Sequence, residues 1–187
     1  GIGENPNLKL EPYVEACRQV AAQWRVPLVD HFEQWTKQRD LGVELHSWTT
    51  DGCHPNPAGH QNLAASMLPV LRHATNSKLK ARSKLHSEEP FRVVCFGDSV
   101  TGAYYHSGSR RAYTDMLQIA LRRVSKNTKV EAINAGLSGH TTVNGLKRID
   151  DDVLKHKPDL VTVMFGLNDM ARVSLEDYRE NLKTIVV

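Results

Sequence analysis

Apolar positions recur at helical spacing across residues 11–24, where Tyr13, Cys17, Val20, Ala21 and Trp24 share one face. The run VPLVD at 26–30 then predicts a short strand. After a polar stretch, Asn56 is placed to cap and Pro57 to start a helix that turns Leu63, Met67, Leu68 and Leu71 inward. FRVVCF at 91–96 predicts a strand, followed by a helix carrying Tyr113, Leu117, Leu121 and Val124. The alternation repeats: KVEAIN at 129–134 precedes a helix with Val143, Leu146, Ile149 and Leu154 inward. DLVTVMF at 159–165 precedes a helix bearing Tyr178, Leu182 and Ile185, opened by the S-x-x-D signal of Ser174 and Asp177. Strands separated by helices of this length predict an α/β fold, a parallel sheet covered on both faces, because parallel strands require crossover connections.

The chain has 187 residues, 40% of them hydrophobic and 24% charged, which suits one globular domain with a sizeable core. The net charge of +3 comes from interspersed acids and bases, so no large nucleic-acid face is expected. Residues 73–90 are the local exception, rich in Lys, Ser and His, and most of that stretch is expected to be a solvated linker between 1–72 and 91–187. Three cysteines, Cys17, Cys53 and Cys95, suggest neither a disulfide framework nor a zinc ribbon. No run approaches the roughly 20 apolar residues of a membrane span, and the first residues lack a signal-peptide core, so a soluble chain is expected. The compartment stays open, since a removed leader would leave no trace.

Ligands of open parallel sheets gather at the carboxyl ends of strands, and three polar motifs directly follow predicted strands. F-G-D-S-V at 96–100 sets Ser99 at the sheet rim, where Gly97 permits a tight turn and the Ser99 N–H can face a developing oxyanion. N-A-G-L-S-G-H at 134–140 has two glycines that let backbone approach a ligand, and Gly139 can donate its N–H. F-G-L-N-D at 165–169 offers Asn168 as an uncharged donor. The fourth motif, D-G-C-H-P-N at 51–56, puts a carboxylate three residues before an imidazole, so Asp51 can hold Nδ1–H and leave Nε2 as a base. Taken singly, each has a plainer reading: a cap, a turn, an Asn-Asp turn with self-bonding side chains, a surface histidine. Ser138 is a decoy, because G-L-S-G has its last glycine one residue too early for a G-x-S-x-G elbow.

Together the four segments resemble the blocks of the GDSL/SGNH hydrolase family of serine esterases and lipases. The resemblance implies a three-layer α/β/α sandwich with a short parallel sheet, flavodoxin-like. It implies Ser99 as nucleophile, His54 and Asp51 completing a triad, and an oxyanion hole of Ser99 N–H, Gly139 N–H and the Asn168 side chain, with neither metal nor cofactor. Val100 stands where the family commonly has leucine. In the family the D-x-x-H block closes the chain, whereas here it comes first, so the resemblance implies a circularly permuted domain in which 73–90 joins the old ends. A further central strand of the family is not found in this sequence.

The expected activity is hydrolysis of a carboxylic ester through an acyl-enzyme on Ser99, favoured at alkaline pH because the base must be neutral. By analogy the substrate is a small-molecule or carbohydrate ester, with a short-acyl or O-acetyl group. Tyr104, His106 and His140 are candidate substrate contacts, beside Trp48, Tyr105 and Arg110. Three alternatives stay open. The chain can be a junction fragment of a tandem protein whose sites close only in a half-exchanged dimer rather than a monomer. It can be a non-catalytic carbohydrate-binding relative. Asp51, Cys53, His54 and His60 can also be read as zinc ligands, although their spacing matches no common zinc motif.

Overall fold

The computed structural model describes residues 6–73, 80–102 and 104–186, excepting the side chains of 6–7, 72–73, 80 and 105–106. In chain order the helices and strands are α1 (Pro6–Trp24), α2 (His31–Asp40), α3 (Pro57–His73), α4 (Lys80–Leu85), β1 (Phe91–Gly97) and α5 (Ser99–Gly102). They continue with α6 (Tyr113–Ser125), β2 (Val130–Gly136), α7 (Thr142–Asp152), β3 (Leu160–Met164), α8 (Asp169–Arg172) and α9 (Leu175–Val186). Among the described residues the sheet has three strands in the order β2-β1-β3, both pairings parallel.

The central strand β1 sends alternate side chains to opposite faces, as strand geometry requires. Val93 and Cys95 join Leu63, Met67, Tyr113, Leu117 and Leu121 from α3 and α6 in one buried cluster. Val94 and Phe96 join Ala16 and Val20 of α1, Phe165, and Tyr178 and Leu182 of α9 in the other. Helices thus cover both faces of the sheet, and the carboxyl ends of all three strands point to one rim.

Local chemistry explains the element ends. Asn56 Oδ1 accepts from the N–H groups of Ala58 and Gly59 at 2.9 and 3.2 Å and so caps α3, as its position before Pro57 predicts. Ser174 Oγ accepts from Asp177 N–H at 3.0 Å and donates to the Asp177 carboxylate at 2.7 Å, which starts α9.

Four expectations are corrected. Residues 26–30 form no strand: they and β3 line one cavity of about 470 Å³, and among the described residues β3 pairs only with β1. The polar stretch that follows is the helix α2, which buries none of its residues and therefore shows no apolar period; Asp30 caps it through Glu33 N–H. In α7, Val143 and Leu154 beyond its end are 39% and 55% exposed, because Gly145 is the position that faces the Phe96 and Phe165 rings. The segment 73–90 is more than a solvated connector, since it contains α4. There Leu85 is 7% exposed within the α3/α6 core, and Lys84 Nζ lies 2.7 Å from Asp159 Oδ1.

Candidate active site

The loop before α3 is closed by its own hydrogen bonds. Asp51 Oδ1 accepts from the N–H groups of Cys53 and His54 at 3.0 and 2.8 Å, an Asx-type turn in which Gly52 takes φ +82°. Thr49 and Pro55 bridge antiparallel, and Asn56 N–H donates to the Trp48 carbonyl at 2.9 Å. The turn leaves the second carboxylate oxygen, Oδ2, 2.8 Å from His54 Nδ1. These contacts, the His54 N–H foremost and its ring next, hold the Asp51 carboxyl well below the usual carboxylate range.

Ser99 opens α5 at the end of β1 and is 5% exposed. Its Oγ lies 3.0 Å from His54 Nε2, within one chain. Asp51, His54 and Ser99 therefore stand in a line of hydrogen bonds, carboxylate to imidazole to hydroxyl, drawn from two segments 45 residues apart. With Nδ1 protonated toward Asp51, Nε2 is an acceptor for the Ser99 proton. Such an arrangement can move a proton off the hydroxyl and stabilise the resulting imidazolium.

A second constellation lies beside the first. Asn168, at the start of α8, donates from Nδ2 to Asp98 Oδ2 at 3.1 Å and to the His140 carbonyl at 3.2 Å. It is therefore engaged rather than vacant as a donor. Both bonds are at the long end of the N–H···O range. Gly139 has φ +76° in the turn after β2, a conformation that favours glycine, and its carbonyl accepts from Arg172 at 2.8 Å. The other glycine of that motif, Gly136, approaches protein rather than ligand: a Cβ there would come within 2.8 Å of the Asp98 carbonyl oxygen and Gly102 N.

Asp98 was not singled out by the sequence, although it sits inside G-D-S. Its side chain is buried, which pushes its carboxyl up to about 6, while Oδ1 accepts from Val100 N–H at 2.9 Å and Oδ2 from Asn168. Arg172 was missed as well. The available signal was its spacing of four from Asn168 on a helical segment, which brings the two side chains to one side.

The candidate substrate contacts divide differently. His140 meets the site through its backbone carbonyl, and burial lowers its imidazole below the ordinary histidine value. Tyr104 is 40% exposed in a short turn of 3-10 helix, Tyr104–Ser107; the side chain of His106 in that turn lies outside the described residues. Trp48 packs edge-on to Trp35, with ring centroids 5.2 Å apart.

Residues 95–187 match the model of the GDSL-like Lipase/Acylhydrolase family, a range that holds Ser99, Gly139 and Asn168 but not Asp51 or His54. The uncharacterized lipoprotein YqeF of Bacillus subtilis (strain 168) is 36% identical over 101 residues, 48% of this chain and 40% of that protein. An acetylxylan esterase of Geobacillus stearothermophilus is 31% identical over 117 residues, 51% of this chain and 52% of that protein. The chain thus spans about half the length, or less, of these curated relatives. Among solved structures, the lipase/acylhydrolase from Enterococcus faecalis is 36% identical with a TM-score of 0.46, covering 51% of this chain and 50% of that one. No helix among the described residues is long and apolar enough to cross a membrane. On the family match, residues 95–187 are similar to the GDSL-like lipase/acylhydrolase family.

Proposed function

We propose that the chain is a serine-dependent carboxylic ester hydrolase acting through an acyl-enzyme on Ser99. The observation that carries this reading is the hydrogen-bonded line from Asp51 through His54 to Ser99, at 2.8 and 3.0 Å. His54 Nε2 takes the Oγ proton as Oγ bonds to the ester carbonyl carbon, and the carbonyl electron pair moves onto its oxygen. Asn168, Gly139 N–H and Ser99 N–H form the oxyanion hole, a kind of contact whose loss costs about 10²–10³ in rate per donor. Collapse of the tetrahedral adduct expels the alcohol, which receives the proton from the imidazolium. Water, deprotonated by the same imidazole, then releases the carboxylic acid and restores the Ser99 hydroxyl. Asp51 keeps the ring in the required tautomer.

The substrate class follows the relatives only in outline: a short-acyl ester, with carbohydrate O-acetyl groups favoured by the 31% identity to an acetylxylan esterase. The domain is read as circularly permuted, with Asp51, His54 and Ser99 forming one site. The contact of His54 with Ser99 supports a site built from both halves of the sequence. In the test, wild type and Ser99→Ala are compared on p-nitrophenyl esters of rising chain length and on acetylated xylan, with molecular mass measured at assay concentration. Wild type should cleave acetyl esters as a monomer, and Ser99→Ala should be inert. Near-normal turnover by Ser99→Ala rejects the nucleophile, and activity confined to a dimer rejects the single-chain site.

A further inference from the structure

An asparagine amide is an ambiguous donor, because its oxygen and NH₂ can exchange places by rotation about one bond. Around Asn168 that ambiguity is removed. Arg172 Nη2, which can only donate, lies 3.0 Å from Oδ1, and Asp98, which accepts when ionised, lies 3.1 Å from Nδ2. A rotated amide would set NH₂ against guanidinium and oxygen against carboxylate, two repulsive contacts in place of two attractive ones. The guanidinium is itself anchored, since its Nη1 donates to the Gly139 carbonyl at 2.8 Å. One planar fork thus spans the two turns, after β2 and after β3, that carry two of the proposed oxyanion donors.

We infer that Arg172 is a positioning residue which, braced on Gly139, fixes the Asn168 carboxamide with its NH₂ turned toward the nucleophile loop. The inference rests on the oxyanion-hole reading above and adds to it a residue outside the triad and the hole. Both Arg172 contacts are solvent-exposed, so they contribute little to stability and their value lies in orientation. A lysine keeps the charge but lacks the fork that serves two acceptors at once.

A double-mutant cycle tests this on p-nitrophenyl acetate with the whole chain: wild type, Arg172→Met, Asn168→Ala and the double variant, each checked for an unchanged melting profile. Arg172→Met should lower kcat about tenfold or more with KM changed less than about threefold, because the lost orientation is felt at the oxyanion. In the Asn168→Ala background the same substitution should change kcat less than about twofold. Should Met impair folding, Arg172→Lys repeats the cycle: it keeps the charge without the fork, so it should lower kcat in the wild-type background and change it less than about twofold beside Asn168→Ala. An equal loss with and without Asn168, or no loss in either background, overturns the positioning role while leaving the oxyanion hole standing. If Asn168→Ala itself keeps full kcat, the oxyanion-hole reading falls, and the role of Arg172 with it; Ser99→Ala reports on the nucleophile separately.

Discussion

His54 Nε2 lies 3.0 Å from Ser99 Oγ although the two residues belong to segments joined through α3, residues 73–90 and β1. The imidazole is held by a loop that is hydrogen-bonded to itself, and the hydroxyl by the end of the central strand. The meeting therefore depends on how α3 packs against α6 and β1, through Leu63, Met67, Leu117 and Val93. Long-range packing here sets the distance between imidazole and hydroxyl.

In the proposed mechanism Asp51 acts through His54. Asp51→Asn should leave the fold intact and lower kcat by about 10²–10⁴, since the amide can present NH₂ to Nδ1 and so favour the wrong tautomer. Steady-state kinetics with circular dichroism on the same sample checks this; a kcat within twofold of wild type would remove Asp51 from the mechanism.

Asp98 makes stability depend on pH. Its native carboxyl is raised by burial to about 6, above the ordinary value of 3.8, so the folded state binds this proton more tightly than the unfolded chain. The contribution is fully present below about pH 3.8 and is lost as pH rises through about 6, an effect of about 3 kcal/mol at most. Asp51 works in the opposite sense: its carboxyl is lowered, so its contribution is present at neutral pH and fades as acid protonates it. Urea titrations of wild type and Asp98→Asn between pH 4 and 7 should show the falling slope due to Asp98 only in wild type. In the variant, kcat should also fall, because an amide has one acceptor oxygen for the two donors, Val100 N–H and Asn168 Nδ2, that the carboxylate serves.

Ser174 and Leu85 separate stability from chemistry. Ser174→Ala removes the cap of α9 and should cost about 1 kcal/mol. Leu85→Ala should cost about 2–4 kcal/mol, as a core residue does and a linker residue does not. Neither should change kcat of the folded fraction, which kinetics at a temperature well below both melting midpoints will check.

The elements with a clear period were legible in the sequence. The strands β1, β2 and β3, the caps Asn56 and Ser174, and the inward faces of α3, α6 and α9 follow from apolar spacing and terminal chemistry alone. The failures share a cause in tertiary context. Residues 26–30 have strand-like composition, but a strand needs a neighbour, and the sequence cannot say that these residues line a cavity instead. Helix α2 has no buried residue, so nothing in its pattern betrays it. Of the proposed site, Ser99, His54, Asp51, Gly139 and Asn168 are singled out by the sequence because each stands in a compact motif at a loop. Asp98 and Arg172 matter only for what they touch, and those contacts exist only after folding.

The central claim is that His54 activates Ser99 within one chain. Intact mass and peptide mapping after treatment with a serine-directed organophosphate test it most directly, using wild type, Ser99→Ala and His54→Ala. The account predicts a single adduct on Ser99 in monomeric wild type, none on that peptide in Ser99→Ala, and labelling slowed by orders of magnitude in His54→Ala. An adduct on another residue, or a Ser99 labelling rate indifferent to His54, would contradict it.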